Sequence, residues 1–173
     1  MRALVATLCL TLAAVAASAQ KVSAADPIDS LDRLAGTWKS HGVFVESPYG
    51  KAGPADATTT CVWSNSHTFL ICQQSVTMAG STSEDIALYT YDPDAKVYRF
   101  FNVRPSKVVP LNITIEGDTI TYPVTFKNSA GQDVTIRTVN IWDNPALYRW
   151  RTEYSNDAGN TWIPMASGTS QRQ

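Results

Sequence analysis

The sequence predicts an all-β protein, an antiparallel up-and-down barrel of about eight to ten strands with a short N-terminal helix. Three observations predict it. About ten short runs of alternating or β-branched residues follow at even spacing, separated by turns rich in Gly, Pro, Asn and Asp. No periodic stretch is long enough for a major helix, and no linker divides the chain. Charged residues make up only 17% of the 173, against 44% hydrophobic, a balance that suits half-buried strands. A meander of that length removes its edges by closing into a barrel.

The N-terminus reads as an export signal. Met1-Arg2 is a positive start, Ala3 to Val15 is apolar, and Ala17-Ser18-Ala19 has the small-x-small form of a cleavage site. The apolar run is too short to span a membrane, and no later stretch is long enough. The expected division is a signal peptide over 1–19, a flexible lead-in over 20–29 and one barrel domain over 30–173. Cleavage near Ala19 takes Arg2 away and leaves 13 basic and 15 acidic residues. With no basic patch, nucleic acid is not expected as a partner. The form of the signal points to a bacterial periplasmic or secreted product.

The barrel opens at Leu31-Asp32-Arg33-Leu34-Ala35-Gly36-Thr37-Trp38. Asp29 or Ser30 can cap a helix of at most two turns, which Gly36 stops. Strand one is expected over Thr37–Glu46, and Ser47–Asp56, with Pro48, Gly50, Gly53 and Pro54, as a loop. Thr58–Ser64 and Thr68–Met78 form a hairpin around Asn65-Ser66-His67. Counting outward from that turn sets Cys61 opposite Cys72, and an oxidising compartment makes them a disulfide.

Glu84–Tyr91 and Lys96–Arg104 flank an Asp-Pro-Asp turn. The second of these is apolar on both faces, so its outside is either covered or a contact surface. Arg99 shares a face with Val97 and Phe101, where it must pair, reach outward or meet an anion. Leu111–Glu116 and Thr119–Lys127 alternate cleanly. Pro123 marks a bulge or an unpaired edge in the latter. Val134–Trp142 changes apolar phase between Ile136 and Val139, as a bulge would. Leu147–Tyr154 puts Tyr148, Trp150 and Tyr154 on one face, and Ile163 to Thr169 ends the set.

The pattern Leu-x-x-Leu-x-Gly-Thr-Trp resembles the opening of calycin-type barrels, the lipocalins and fatty-acid-binding proteins. The resemblance implies that Trp38 closes one end of the barrel, with Gly36 before it, and that a basic residue near the last strand packs over it. Arg172 is that residue here. Together with Tyr91-Asp92 before a turn and the late Asp-x-Gly-x-Thr-Trp, the layout looks like the bacterial DUF1579-type lipocalin-like proteins. A likeness to haem-binding nitrobindins would need a late histidine, and none follows His67.

Ser155-x-Asp157-x-Gly159-x-Thr161-Trp162 resembles an Asp-box hairpin. Asp157 can accept from loop N–H groups, Gly159 can take a positive φ, and Trp162 can anchor the hairpin on the core. A single copy points to a structural role.

No catalytic residue, metal site or cofactor is predicted. The two histidines, His41 and His67, fall in no metal-spaced motif, and no nucleophile elbow or phosphate loop occurs. The leading expectation is a secreted barrel that binds a small hydrophobic molecule, lined by Tyr122, Phe126, Tyr148 and Trp150, with Arg99 for an anionic head group. The alternatives are two. One is a lipocalin-like isomerase or hydrolase using His41 or an acidic residue as base. The other is an interaction module with a filled core, presenting the strand around Phe100 and Phe101. Oligomeric state stays open, a dimer included.

Overall fold

The computed structural model describes residues 26–78 and 80–173, so the expected signal peptide and most of the expected lead-in lie outside the described residues. A 3₁₀ helix, Pro27–Leu34, precedes ten strands: β1 Gly36–Phe44, β2 Gly53–Trp63, β3 Phe69–Met78, β4 Ser81–Asp92, β5 Val97–Arg104, β6 Lys107–Glu116, β7 Thr119–Lys127, β8 Asp133–Asn144, β9 Leu147–Ser155 and β10 Ile163–Arg172. Each strand pairs antiparallel with its sequence neighbours, and β10 returns to β1 to close the barrel. Closure leaves no sheet edge along its length except where neighbouring strands part.

The helix starts earlier than expected. Asp26 caps it by accepting from the Ile28 N–H at 3.2 Å, and Pro27 sits in the first turn, where a missing N–H costs nothing. It ends at Ala35, and Gly36 turns the chain at φ +105°. Its buried Leu31 and Leu34 plug one end of the barrel against Trp38, Leu70, Ile113, Ile120 and Trp142. Polar contacts fix the plug. Trp38 Nε1 donates to the Leu34 carbonyl at 2.9 Å, Tyr98 Oη to the Pro27 carbonyl at 2.7 Å, and Arg33 Nη1 to the Gly117 carbonyl at 2.8 Å. Trp38 therefore closes this end, and the Arg172 guanidinium lies 4.8 Å from its ring centroid.

Cys61 and Cys72 are register partners and form the expected disulfide, with Cα atoms 4.0 Å apart. Both face inward and join the core. The expected loop over Ser47–Asp56 is shorter than predicted, because Gly53–Asp56 already pairs with β1. The expected bulge between Ile136 and Val139 is absent. Pairing to β7 and β9 runs unbroken there, and the register shifts only at Trp142/Asn144. The phase change arises because Thr138 and Asn140 are polar residues facing the lumen, while Val139 is buried on the other face.

One seam is incomplete. β6 and β7 share only the pairs Thr114–Thr121, Ile115–Ile120 and Glu116–Thr119. Beyond them β6 pairs with β5 alone and β7 with β8 alone. Pro123, expected to mark an unpaired edge, lies on the parted stretch of β7, and Pro110 lies on that of β6.

Candidate ligand cavity

The strand alternation separates a lumen from an exterior, and the lumen is not filled. A cavity of about 640 Å³ runs from the plugged end toward the opposite mouth. Its floor holds Leu34, Trp38 and the Cys61–Cys72 bridge. Its walls carry Tyr89, Phe100, Leu111, Tyr122, Tyr148 and Trp150, and its mouth Phe44, Met78, Glu84, Arg104, Val124 and Ile136. The volume lies within the usual range for small-molecule pockets.

Aromatic rings build the walls. Tyr89 packs on Phe100 at 4.9 Å between centroids, and Phe100 on Tyr122 at 5.4 Å. Tyr148 packs on Trp38 at 4.9 Å and on Trp142 at 4.6 Å. Burial pushes the phenols of Tyr89, Tyr122 and Tyr148 above the ordinary tyrosine range, so all three stay neutral. They offer hydroxyls and no charge.

Polar groups interrupt this apolar lining. Asn102 and Asn140 are 8% and 9% exposed and face the lumen. Asn102 Oδ1 accepts from Arg104 Nε at 2.6 Å, which draws that arginine over the wall. Thr138 and Thr152 share a hydrogen bond at 3.0 Å, and Ser40 and Ser170 one at 2.5 Å. Gln74 and Asp85 are register partners on β3 and β4, and both line the cavity.

Three of the expected lining residues, Tyr122, Tyr148 and Trp150, meet in this cavity. Phe126 does not reach it. It sits at the rim, 36% exposed, with Tyr49 edge-on at 5.7 Å. Arg99 lies on the outside, because Tyr98, Phe100 and Asn102 take the inward phase of β5. It donates from Nη2 to Asp92 Oδ2 and from Nη1 to Asn112 Oδ1, both at 2.9 Å. That outward pairing removes it as a lumen group for an anion.

His41 is also outside. Its Nδ1 lies 2.6 Å from Asp56 Oδ1, and its side chain is 73% exposed. His41, one of the bases named for an isomerase or hydrolase, therefore does not enter the cavity, whereas an acidic residue, Asp85, does. His67 stacks on Trp63 at 3.9 Å and lies 3.7 Å from Asp29 and 3.6 Å from Asp32. These three are the metal-competent cluster among the described residues, and all are exposed on the outer side of the plug. Asp32 Oδ1 already accepts from Trp63 Nε1 at 2.8 Å, so the group holds the β2–β3 turn against the helix.

The Asp-box geometry is local, as expected. Asp157 accepts from the Thr161 N–H at 2.9 Å and the Thr161 hydroxyl at 2.6 Å, while Gly159 takes φ +89°. Trp162 anchors elsewhere than expected. It lies on the outer face under Arg137, whose guanidinium carbon is 3.6 Å from its ring centroid. Arg137 and Arg151 both donate to Glu153.

Among solved structures the chain is similar to Rv2717c from M. tuberculosis, at 12% identity and TM-score 0.56, covering 86% of this chain and 98% of that one. It is also similar to the S-type phycobiliprotein lyase CPES from Guillardia theta, at 8% identity and TM-score 0.57, covering 83% and 90%. Both are lipocalin-like barrels. The fold is that of a lipocalin-like barrel. At these identities the likeness concerns the fold alone. Neither a protein-family model nor a curated protein matches the chain.

The lumen's polar residues were missed by sequence reasoning. Asp85, Asn102 and Asn140 each stand in the inward phase of a strand otherwise carrying Ala87 and Tyr89, Phe100, or Trp142. A polar residue interrupting an apolar phase was the available signal.

Proposed function

We propose that this barrel binds a small, largely apolar molecule in its lumen. The observation that carries the reading is the cavity of about 640 Å³, plugged at one end and walled by aromatic side chains. An apolar lining sheltered from water gains from occupancy by apolar surface. The protein is exported, cleaved near Ala19, and works in a bacterial periplasm or outside the cell. The buried Cys61–Cys72 bond favours an oxidising compartment, and no helix among the described residues is long and apolar enough to cross a membrane. Its opening and its Asp-x-Gly-x-Thr-Trp support a likeness to the DUF1579-type lipocalin-like proteins.

Native mass spectrometry of protein exported to a bacterial periplasm tests this. An added mass that vanishes on denaturation is expected. A clean apo mass, together with no binding of a hydrophobic dye, would overturn it.

A second reading has an observation of its own. On the outer face Ile86, Val103 and Val108 are consecutive register partners, 42%, 37% and 56% exposed. Phe101 points the same way, whereas Phe100 points into the lumen. Such a row suits a protein contact. Sedimentation across a concentration series would show a dimer if two copies meet there.

A further inference from the structure

The lumen carries two polar pairs. Gln74 and Asp85 are register partners on β3 and β4. Asn140 and Trp150 are register partners on β8 and β9. In a ten-strand closed barrel, strands five apart lie half a circumference from each other, so β3 faces β8 and β4 faces β9. All four residues line the same cavity.

The two walls want opposite things. Asp85 Oδ1 is shut off from solvent and has no hydrogen-bond partner among the described residues. A carboxylate held that way calls for a donor, and a turn about its last bond brings either oxygen to the lumen. On the facing wall Trp150 Nε1 is a buried N–H without an acceptor. Beside it, as its register partner, stands Asn140, 9% exposed and lining the same cavity. On that wall the Trp150 N–H is the group left without an acceptor, and the Asn140 amide nitrogen can donate beside it. The aromatic rings of Phe100, Tyr122 and Tyr148 line the same cavity, a lining that suits a planar ligand.

We propose that the cavity selects a planar molecule with an N–H donor on one edge, read by Asp85, and a carbonyl-type acceptor on the opposite edge, read by Asn140 and Trp150. This rests on the cavity-binding reading and narrows its ligand class, away from plain hydrocarbon or alkyl chains. A site built to satisfy buried polar groups rejects a ligand that leaves them unpaired.

Three probes of similar size test it by titration of tryptophan fluorescence: aminomethylcoumarin, methylcoumarin and naphthalene. The protein should bind them in that order, with about a tenfold step in Kd at each loss of a polar edge. Asp85→Leu should erase the first step and Asn140→Leu the second, since leucine is close in shape to both and neither accepts nor donates a hydrogen bond. A wild-type protein that binds naphthalene as tightly as aminomethylcoumarin overturns the proposal, whatever the variants do. Variants that keep both steps overturn it as well. Dodecanoate separates the two levels of failure. If dodecanoate binds and the coumarins do not, the cavity reading stands and the polar-edged ligand falls; if nothing binds, both fall.

Discussion

Arg172, the penultimate residue, lies over Trp38, the first large side chain of the barrel, with its guanidinium carbon 4.8 Å from the ring centroid. The same guanidinium donates from Nη2 to the Arg33 carbonyl at 2.9 Å. One side chain thus ties the last strand to the first strand and to the helical plug. Arg172→Leu keeps some of the packing and removes the cation and the hydrogen bond. It should cost about 1–3 kcal/mol in urea unfolding. An unchanged midpoint would mean the plug holds without its arginine.

Gly42 and Gly168 are register partners where β1 meets β10, and the Trp150 ring lies against both. A Cβ built on Gly168 would stand 2.6 Å from Trp150 Cζ2 and closer still to the His41 carbonyl. Gly168→Ala must therefore push the indole into the lumen or part the strands. The expected outcome is a loss of about 1–3 kcal/mol and weaker binding of any lumen ligand, read by calorimetry and thermal melting. If both stayed at wild-type values, the glycine pair would not be what seats Trp150.

Asp157 is held at a pKa of about 2, below its ordinary 3.8, by hydrogen bonds from the Thr161 hydroxyl, the Thr161 N–H and Ser155. A carboxyl lowered in the folded state contributes stability that is complete above its unfolded pKa. That contribution is lost as pH falls through the folded value. The stability advantage of the wild type over Asp157→Asn should accordingly shrink between about pH 4 and pH 2. Chemical denaturation at a series of pH values reads it, and a difference independent of pH across that window would contradict the assignment.

Strand number, the plug and the disulfide were legible because each rests on local signals: turn residues, the Gly36–Trp38 opening, and a hairpin whose count sets Cys61 opposite Cys72. The side of the wall was legible only where one phase is apolar. On β7 and β9 that phase correctly sent Tyr122, Tyr148 and Trp150 inward. On β5 both phases are apolar, so the strand pattern alone could not tell that Arg99 points out to Asp92 while Arg104 points in. Phe126 has the inward phase but lies too near the open rim to be enclosed. Asp85 stayed hidden for a related reason. On β4 both phases again carry apolar residues, Ala87 and Tyr89 on one and Ile86 and Leu88 on the other, so the pattern did not say that Asp85 stands on the lumen side.

The parted seam between β6 and β7 has a dynamic consequence. Val109 and Leu111 on one strand, and Tyr122 and Val124 on the other, line the cavity beside stretches that lack partners across the seam. Backbone N–H groups directed into that gap have no ladder to protect them, and Pro110 and Pro123 contribute none. Their amides should exchange with solvent faster than those of Thr114–Glu116 and Thr119–Thr121, where the strands remain paired. Local opening there would give a ligand a lateral route into the lumen without moving the helical plug. Residue-resolved hydrogen exchange decides the point. Equal protection along the whole of β6 and β7 would mean the seam is closed in solution, and access would then have to come through the open mouth beside Phe44 and Met78.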